Sequence, residues 1–137
     1  MVSEMKPKVL IVEDEFLVAL NLKRILSDLG FETVGIAPDT LSAYEYAECK
    51  PDIALVDVNL RDGETGPEIG VTLAQKFGAS MLFVIANPRQ LNGVDSGPVG
   101  VLSKPMNDNE VGPVLEFLMN HRHGNSTKPP KNVTVFK

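Results

Sequence analysis

The sequence predicts a doubly wound α/β sandwich: a parallel sheet covered by helices on both faces. Five short apolar runs rich in β-branched residues recur along the 137 residues, and stretches with helical spacing lie between them. Strand alternating with helix implies right-handed crossovers, which place the helices on both sides of one sheet.

The first run, Val9 to Val12, reads as a buried strand. Val18, Leu22, Ile25, Leu26 and Leu29 then fall on one helical stripe that ends at Gly30. Thr33 to Ala37 is the second strand, and Asp39 is the N-cap expected for a second helix carrying Leu41, Tyr44 and Ala47. That helix has to stop near Lys50, because Pro51 disfavours helical backbone just before it. Ile53 to Val56 is the third strand, and Ile69, Leu73, Ala74 and Phe77 form a third helix closed by Gly78. Met81 to Ile85 and Val99 to Leu102 are the fourth and fifth strands. Between them, Asn87 to Pro98 holds Pro88, Gly93, Gly97 and Pro98 with hardly any apolar stripe, so a fourth helix there is expected to be short or distorted. The last helix carries Val111, Val114, Leu115 and Leu118, with Asn107 and Glu110 spaced as a capping box. The expected organisation is an N-terminal extension over 1–7, one folded domain over 8–122 and a polar tail over 123–137. The terminal alternation Val133-Thr134-Val135-Phe136 could form a strand, but a frayed end of that tail is the favoured reading.

Composition narrows the function. With 43% hydrophobic and 23% charged residues the chain is globular, and a net charge of −5 argues against a surface that tracks nucleic-acid phosphates. The single cysteine, Cys49, cannot pair within the chain and reads as a reduced packing residue. The first apolar run is too short for a signal peptide or membrane span, so a cytoplasmic protein with no membrane partner is expected. His121 and His123 lack the spacing of a metal pair and suit a helix C-terminus.

In an open parallel sheet, ligands bind outside the carboxyl ends of the strands. The residues that follow the runs there are Glu13, Asp14 and Glu15; Asp57 and Asn59; Ala86 and Asn87; and Ser103, Lys104 and Pro105. Glu13, Asp14 and Asp57 would repel one another unless a pKa rises or a cation binds. All-oxygen ligation suits Mg²⁺ or Mn²⁺, and a metal beside an ammonium suits phosphate. Asp57 could then attack phosphorus and form an acyl phosphate.

The runs Val9-Leu10-Ile11-Val12-Glu13-Asp14-Glu15, Ala54-Leu55-Val56-Asp57-Val58-Asn59-Leu60 with Asp62-Gly63, and Val101-Leu102-Ser103-Lys104-Pro105 resemble the receiver domain of two-component response regulators, single-domain type. The resemblance spans roughly residues 8 to 122. It implies a flavodoxin-like sheet of five parallel strands in the order 2-1-3-4-5, flanked by five helices. By position, Asp57 resembles the phosphoacceptor, Glu13 and Asp14 the acidic pair that holds Mg²⁺ together with Asp57, and Asn59 the residue lending its backbone carbonyl to the metal. Lys104 resembles the lysine that contacts the phosphoryl group, and Pro105 the proline that follows a cis peptide. Two positions depart from the family. Ile85 stands where a Ser or Thr is expected, and Val101 where an aromatic is expected; both belong to the family's switch. Ala86 and Asn87 are the neighbouring positions nearest the phosphoryl group.

The resemblance implies a signalling phosphoacceptor that catalyses only its own phosphorylation and dephosphorylation. It receives the group from a sensor histidine kinase or a histidine phosphotransfer protein and acts on a downstream protein, with a homodimer compatible with the same surface. An alternative is a receiver-like interaction module whose conformation no longer follows phosphorylation, as Ile85 and Val101 suggest. A phosphatase of the haloacid dehalogenase type ranks below both, because Asn59 stands where that chemistry needs a second acid.

Overall fold

The computed structural model describes residues 6–86, 97–104 and 106–136. Six strands form one sheet: β1 (Lys8–Val12), β2 (Glu32–Ala37), β3 (Ile53–Asp57), β4 (Ser80–Ile85), β5 (Gly100–Ser103) and β6 (Val133–Val135). Their spatial order is β2-β1-β3-β4-β5-β6. The first five run parallel, as expected, and β6 joins β5 antiparallel. The helices among the described residues are α1 (Phe16–Asp28), α2 (Thr40–Ala47), α3 (Gly66–Phe77) and α4 (Val111–Arg122). Most of the interval expected to hold a short or distorted helix, residues 87–96, lies outside the described residues, as does Pro105 with its expected cis peptide.

Strand alternation sorts the apolar residues into two cores. Leu10, Val12, Ala54 and Val56 point to one face and pack with Ala43 and Ala47 of α2 and Ile69 and Leu73 of α3. Val9, Ile11, Ile53 and Leu55 point to the other and pack with Ala19, Ile25 and Leu26 of α1 and Val114, Leu115 and Leu118 of α4. Each large aliphatic side chain fully buried this way contributes about 1.5–3 kcal/mol.

Local signals set the helix ends. Asp39 caps α2, its carboxylate accepting the Ser42 N–H at 3.0 Å, and Lys50 takes a left-handed φ of 53° just before Pro51. Asn107 and Glu110 form the expected capping box, on a short 3-10 turn that leads into α4.

Three expectations are corrected. The residues 133–135, expected in a frayed tail, form a sixth strand, because β5 offers an open edge and Val133 has an apolar face to fill. The α1 stripe is narrower than its spacing suggests: Val18 and Leu29 are exposed, and Ala19 takes the central buried place. Cys49 is exposed rather than packed, since α2 has already ended and turned outward at that point.

Candidate functional site

The site residues stand at or just past the ends of their strands, so the sheet sets their positions. The Glu13 N–H donates to the Ala37 carbonyl at 2.9 Å, holding the end of β1 to β2. The Lys104 N–H donates to the Ile85 carbonyl at 2.9 Å, holding the end of β5 to β4. Asp57 closes β3 between them. Behind it the chain turns back so tightly that a Cβ on Gly66 would collide with the Asp57 carbonyl oxygen, and the Gly66 N–H donates to Val58 at 3.1 Å. Only glycine admits this approach.

The expected convergence is realised for Glu13, Asp14, Asp57 and Lys104. One carboxylate oxygen from each acid lies within 4.8 Å of the others. Glu13 and Asp57 are buried, only 7% and 8% exposed. The Lys104 Nζ stands 3.1 Å from Asp57 Oδ2 and 3.9 Å from Glu13 Oε1. The Asn59 N–H donates to Asp57 Oδ1 at 3.2 Å, and the Glu15 N–H donates to Glu13 Oε2 at 3.1 Å.

Charge and burial compete here. Burial raises the Glu13 carboxyl to about 7; the hydrogen bond from Glu15 opposes this, and the neighbouring Asp57 carboxylate adds to it. Burial acts to lower the Lys104 pKa, but its hydrogen bond to Asp57 and the charges of Asp57, Glu13 and Glu15 outweigh it, so the ammonium is held more firmly than usual. The three acids offer hard oxygen donors and excess negative charge. Opposite ligands of a six-coordinate Mg²⁺ with bonds of about 2.0–2.1 Å stand roughly 4.2 Å apart, so small side-chain movements would let this donor set hold such an ion.

Ile85 is buried in the α2/α3-side core, and Val101 lies in the same cluster. Ala86 is exposed at the end of β4. Asn87 lies outside the described residues. Sequence reasoning missed Phe136, which brings an aromatic ring to the cluster that contains Val101 and stands 6.3 Å from the Phe83 ring. Its signal was the alternation Val133-Thr134-Val135-Phe136. The start of α1, which follows Glu15, also exposes large apolar side chains: Phe16, Leu17 and Leu20 are 62%, 81% and 38% exposed. A cavity of about 350 Å³ runs from Asp57 and Lys104 beneath α1, past Val18, Leu22 and Met106.

Comparison with known proteins bears on this arrangement. The response regulator receiver domain model matches residues 9–116. The phyllosphere-induced regulator PhyR of Methylorubrum extorquens is 30% identical over 116 residues, covering 82% of this chain and 43% of PhyR. The chemotaxis protein CheY of Listeria monocytogenes is 27% identical over 113 residues, 80% of this chain and 95% of CheY. Among solved structures, the response regulator PhyR from Brucella abortus aligns with a TM-score of 0.76 at 27% identity, over 88% of this chain and 51% of that one. The chain spans about half the length of the first curated relatives it matches, 43% of PhyR and 55% of the transcriptional regulatory protein PdtaR of Mycobacterium tuberculosis. No helix among the described residues is long and apolar enough to cross a membrane. With a receiver model matched over most of its length and a parallel sheet that gathers three acids and a lysine at one edge, the chain belongs to the response regulator receiver domain family of two-component systems.

Proposed function

We propose that this chain accepts a phosphoryl group on Asp57 within a His-Asp phosphorelay and passes the signal on by binding a protein. The observation that carries the reading is the placement of Asp57 between the Lys104 ammonium, 3.1 Å away, and the carboxylates of Glu13 and Asp14. In the resting chain both Asp57 oxygens are engaged, Oδ2 by Lys104 and Oδ1 by the Asn59 N–H. An Asp57 oxygen attacks phosphorus as the bond to the donor breaks, and the leaving group departs with the bonding electron pair. As Asp57 becomes an acyl phosphate, Lys104 moves its charge from the carboxylate to a phosphoryl oxygen. Glu13, Asp14 and Asp57, with the Asn59 backbone carbonyl, would hold Mg²⁺ or Mn²⁺, which supplies charge neutralisation on the phosphoryl oxygens when bound.

The donor in this reading is a sensor histidine kinase or a histidine phosphotransfer protein, docking on the exposed Phe16, Leu17 and Leu20 beside the site. The downstream partner is a protein, and a cytoplasmic place follows from the donor. Intact-protein mass after treatment with acetyl phosphate and Mg²⁺ tests the assignment. One added phosphoryl group is expected, absent without metal and absent in Asp57→Asn; a phosphorylated Asp57→Asn refutes it.

One observation favours a second reading, an interaction module uncoupled from phosphorylation. Ile85 and Val101 are buried apolar residues that offer no hydrogen bond to a phosphoryl group. Amide spectra with Mg²⁺ and beryllofluoride separate the two. Shifts confined to the strand ends favour the module, whereas shifts reaching residues 87–98 and β5 favour a coupled receiver.

A further inference from the structure

The strand that presents Lys104 is short and lies between two others. β5 has four residues, and its inner edge pairs with β4 from Leu82 to Ile85. Its outer edge is covered by β6, which lies beyond the family-matched residues 9–116. The pairing runs Gly100 to Val135, Val101 to Thr134 and Leu102 to Val133. Bonds bracket the strand at both ends: the Ser103 N–H donates to the Asn132 carbonyl and the Phe136 N–H to the Val99 carbonyl, each at 3.0 Å. A Cβ on Gly100 would collide with the Thr134 carbonyl oxygen, so this close ladder needs glycine there. Val133 is anchored in the α1/α4-side core and Phe136 against the opposite core, so β6 grips the sheet from both faces.

From this we infer that β6 is a positioning element for Lys104: residues 132–136 hold the outer edge of β5 so that the next residue delivers its Nζ to Asp57. The inference rests on the phosphoacceptor reading above. Ser103, fixed by Asn132, is the residue immediately before Lys104. Without β6 the Ser103 N–H turns to water, and the Lys104 N–H bond to Ile85 is left to hold a frayed strand end. Asp57 ends β3, two strands from β5, and Glu13 and Asp14 follow β1, three strands from it, so the acids keep their places. A loss confined to the lysine is the signature.

The test compares the full chain, a chain ending at Asn125, and a full-length Thr134→Pro variant that breaks the β6 ladder, each with and without Lys104→Ala. Three quantities are read: amide exchange at Ser103 and Lys104, the rate of Asp57 phosphorylation by acetyl phosphate at saturating Mg²⁺, and the Mg²⁺ dissociation constant. Loss of β6 should speed exchange at Lys104 by about tenfold or more while Val9 to Val12 stay protected. Phosphorylation should slow by about tenfold or more, since a 1 Å misplacement can cost roughly 10²-fold. Mg²⁺ binding should not weaken, because the acids keep their places and lose only a neighbouring ammonium, and in the Lys104→Ala background loss of β6 should slow phosphorylation no further. Unchanged exchange at Lys104 overturns the inference, as does an equal slowing with and without the lysine side chain. If the shortened chain does not fold, Thr134→Pro decides by the same readings. If the full chain takes no phosphoryl group on Asp57, the functional reading fails, and exchange at Lys104 still decides whether β6 holds that strand end.

Discussion

Between pH 5 and 8, in the absence of divalent metal, the protein should lose stability as the pH rises. The cause is Glu13, whose carboxyl is raised from 4.5 to about 7, chiefly by burial. Between those values the folded chain keeps a proton that the unfolded chain has released. Its stabilising effect is fully present below about 4.5 and is lost as the pH passes 7. At 1.36 kcal/mol per pKa unit, the gap from 4.5 to about 7 sets a ceiling of about 3 kcal/mol. Other shifted groups fall outside this window. Asp39 and Asp62 are lowered from 3.8 by their hydrogen bonds, so they contribute stability above that value and lose it in acid. Lys104 is raised from 10.5, so its contribution is lost only in stronger base. Urea unfolding in EDTA at pH 5, 6, 7 and 8 reads the slope; with m near 2 kcal/mol per M, the midpoint falls by up to about 1.5 M. Glu13→Gln should flatten the profile. Asp57→Asn should only shrink it, because burial remains the largest cause. Saturating Mg²⁺ should remove the downward slope, since the ion binds the deprotonated acids. A flat wild-type profile, or a slope that survives in Glu13→Gln, refutes the reasoning.

Other outcomes follow from the same geometry. Lys104→Ala should remain folded, because its ion pair is partly solvated, yet its phosphorylation by acetyl phosphate should fall at least about tenfold; a normal rate removes Lys104 from the site. Gly66→Ala should cost about 2 kcal/mol or more in urea unfolding, because the new Cβ meets the Asp57 backbone rather than a movable side chain, and a neutral result contradicts the close approach. Leu17→Asp should slow phosphotransfer from a protein donor by about tenfold while leaving the acetyl phosphate rate within twofold, and equal effects on both would move the docking face away from α1.

The central parallel strands were legible because they are buried on both faces and read as continuous apolar runs. The site was legible for the same reason: a parallel sheet leaves few places for a strand to end, and the residue after each ending is fixed by the run before it. β6 escaped because its three residues sit behind Pro129 and Pro130 in a polar segment, and its partner edge exists only once the sheet has formed. Exposure on α1 escaped because spacing shows which side chains share a face but not how far the neighbouring elements extend over it; Ile25 and Leu26 are buried while Val18 and Leu29 stay exposed. The unequal standing of the acids was likewise hidden. Glu13 and Asp14 are adjacent in sequence, and only the folded sheet buries the first more deeply than the second.

The division of the apolar interior into two cores lets each be repacked with little effect on the other. Ile85, Val101 and Phe136 belong to one compartment, while Val84, Leu102 and Met106, which flank the lysine end of the site, belong to the other. The sheet between them is a wall one residue thick, crossed by the backbone but by no shared side chain. Substitutions that recut the α2/α3 side can therefore be compensated among themselves while the α1/α4 side stays in register. A chain built this way can trade one set of protein neighbours for another on one flank while its acids and lysine stay where they were, and divergence in output need not be bought with loss of input.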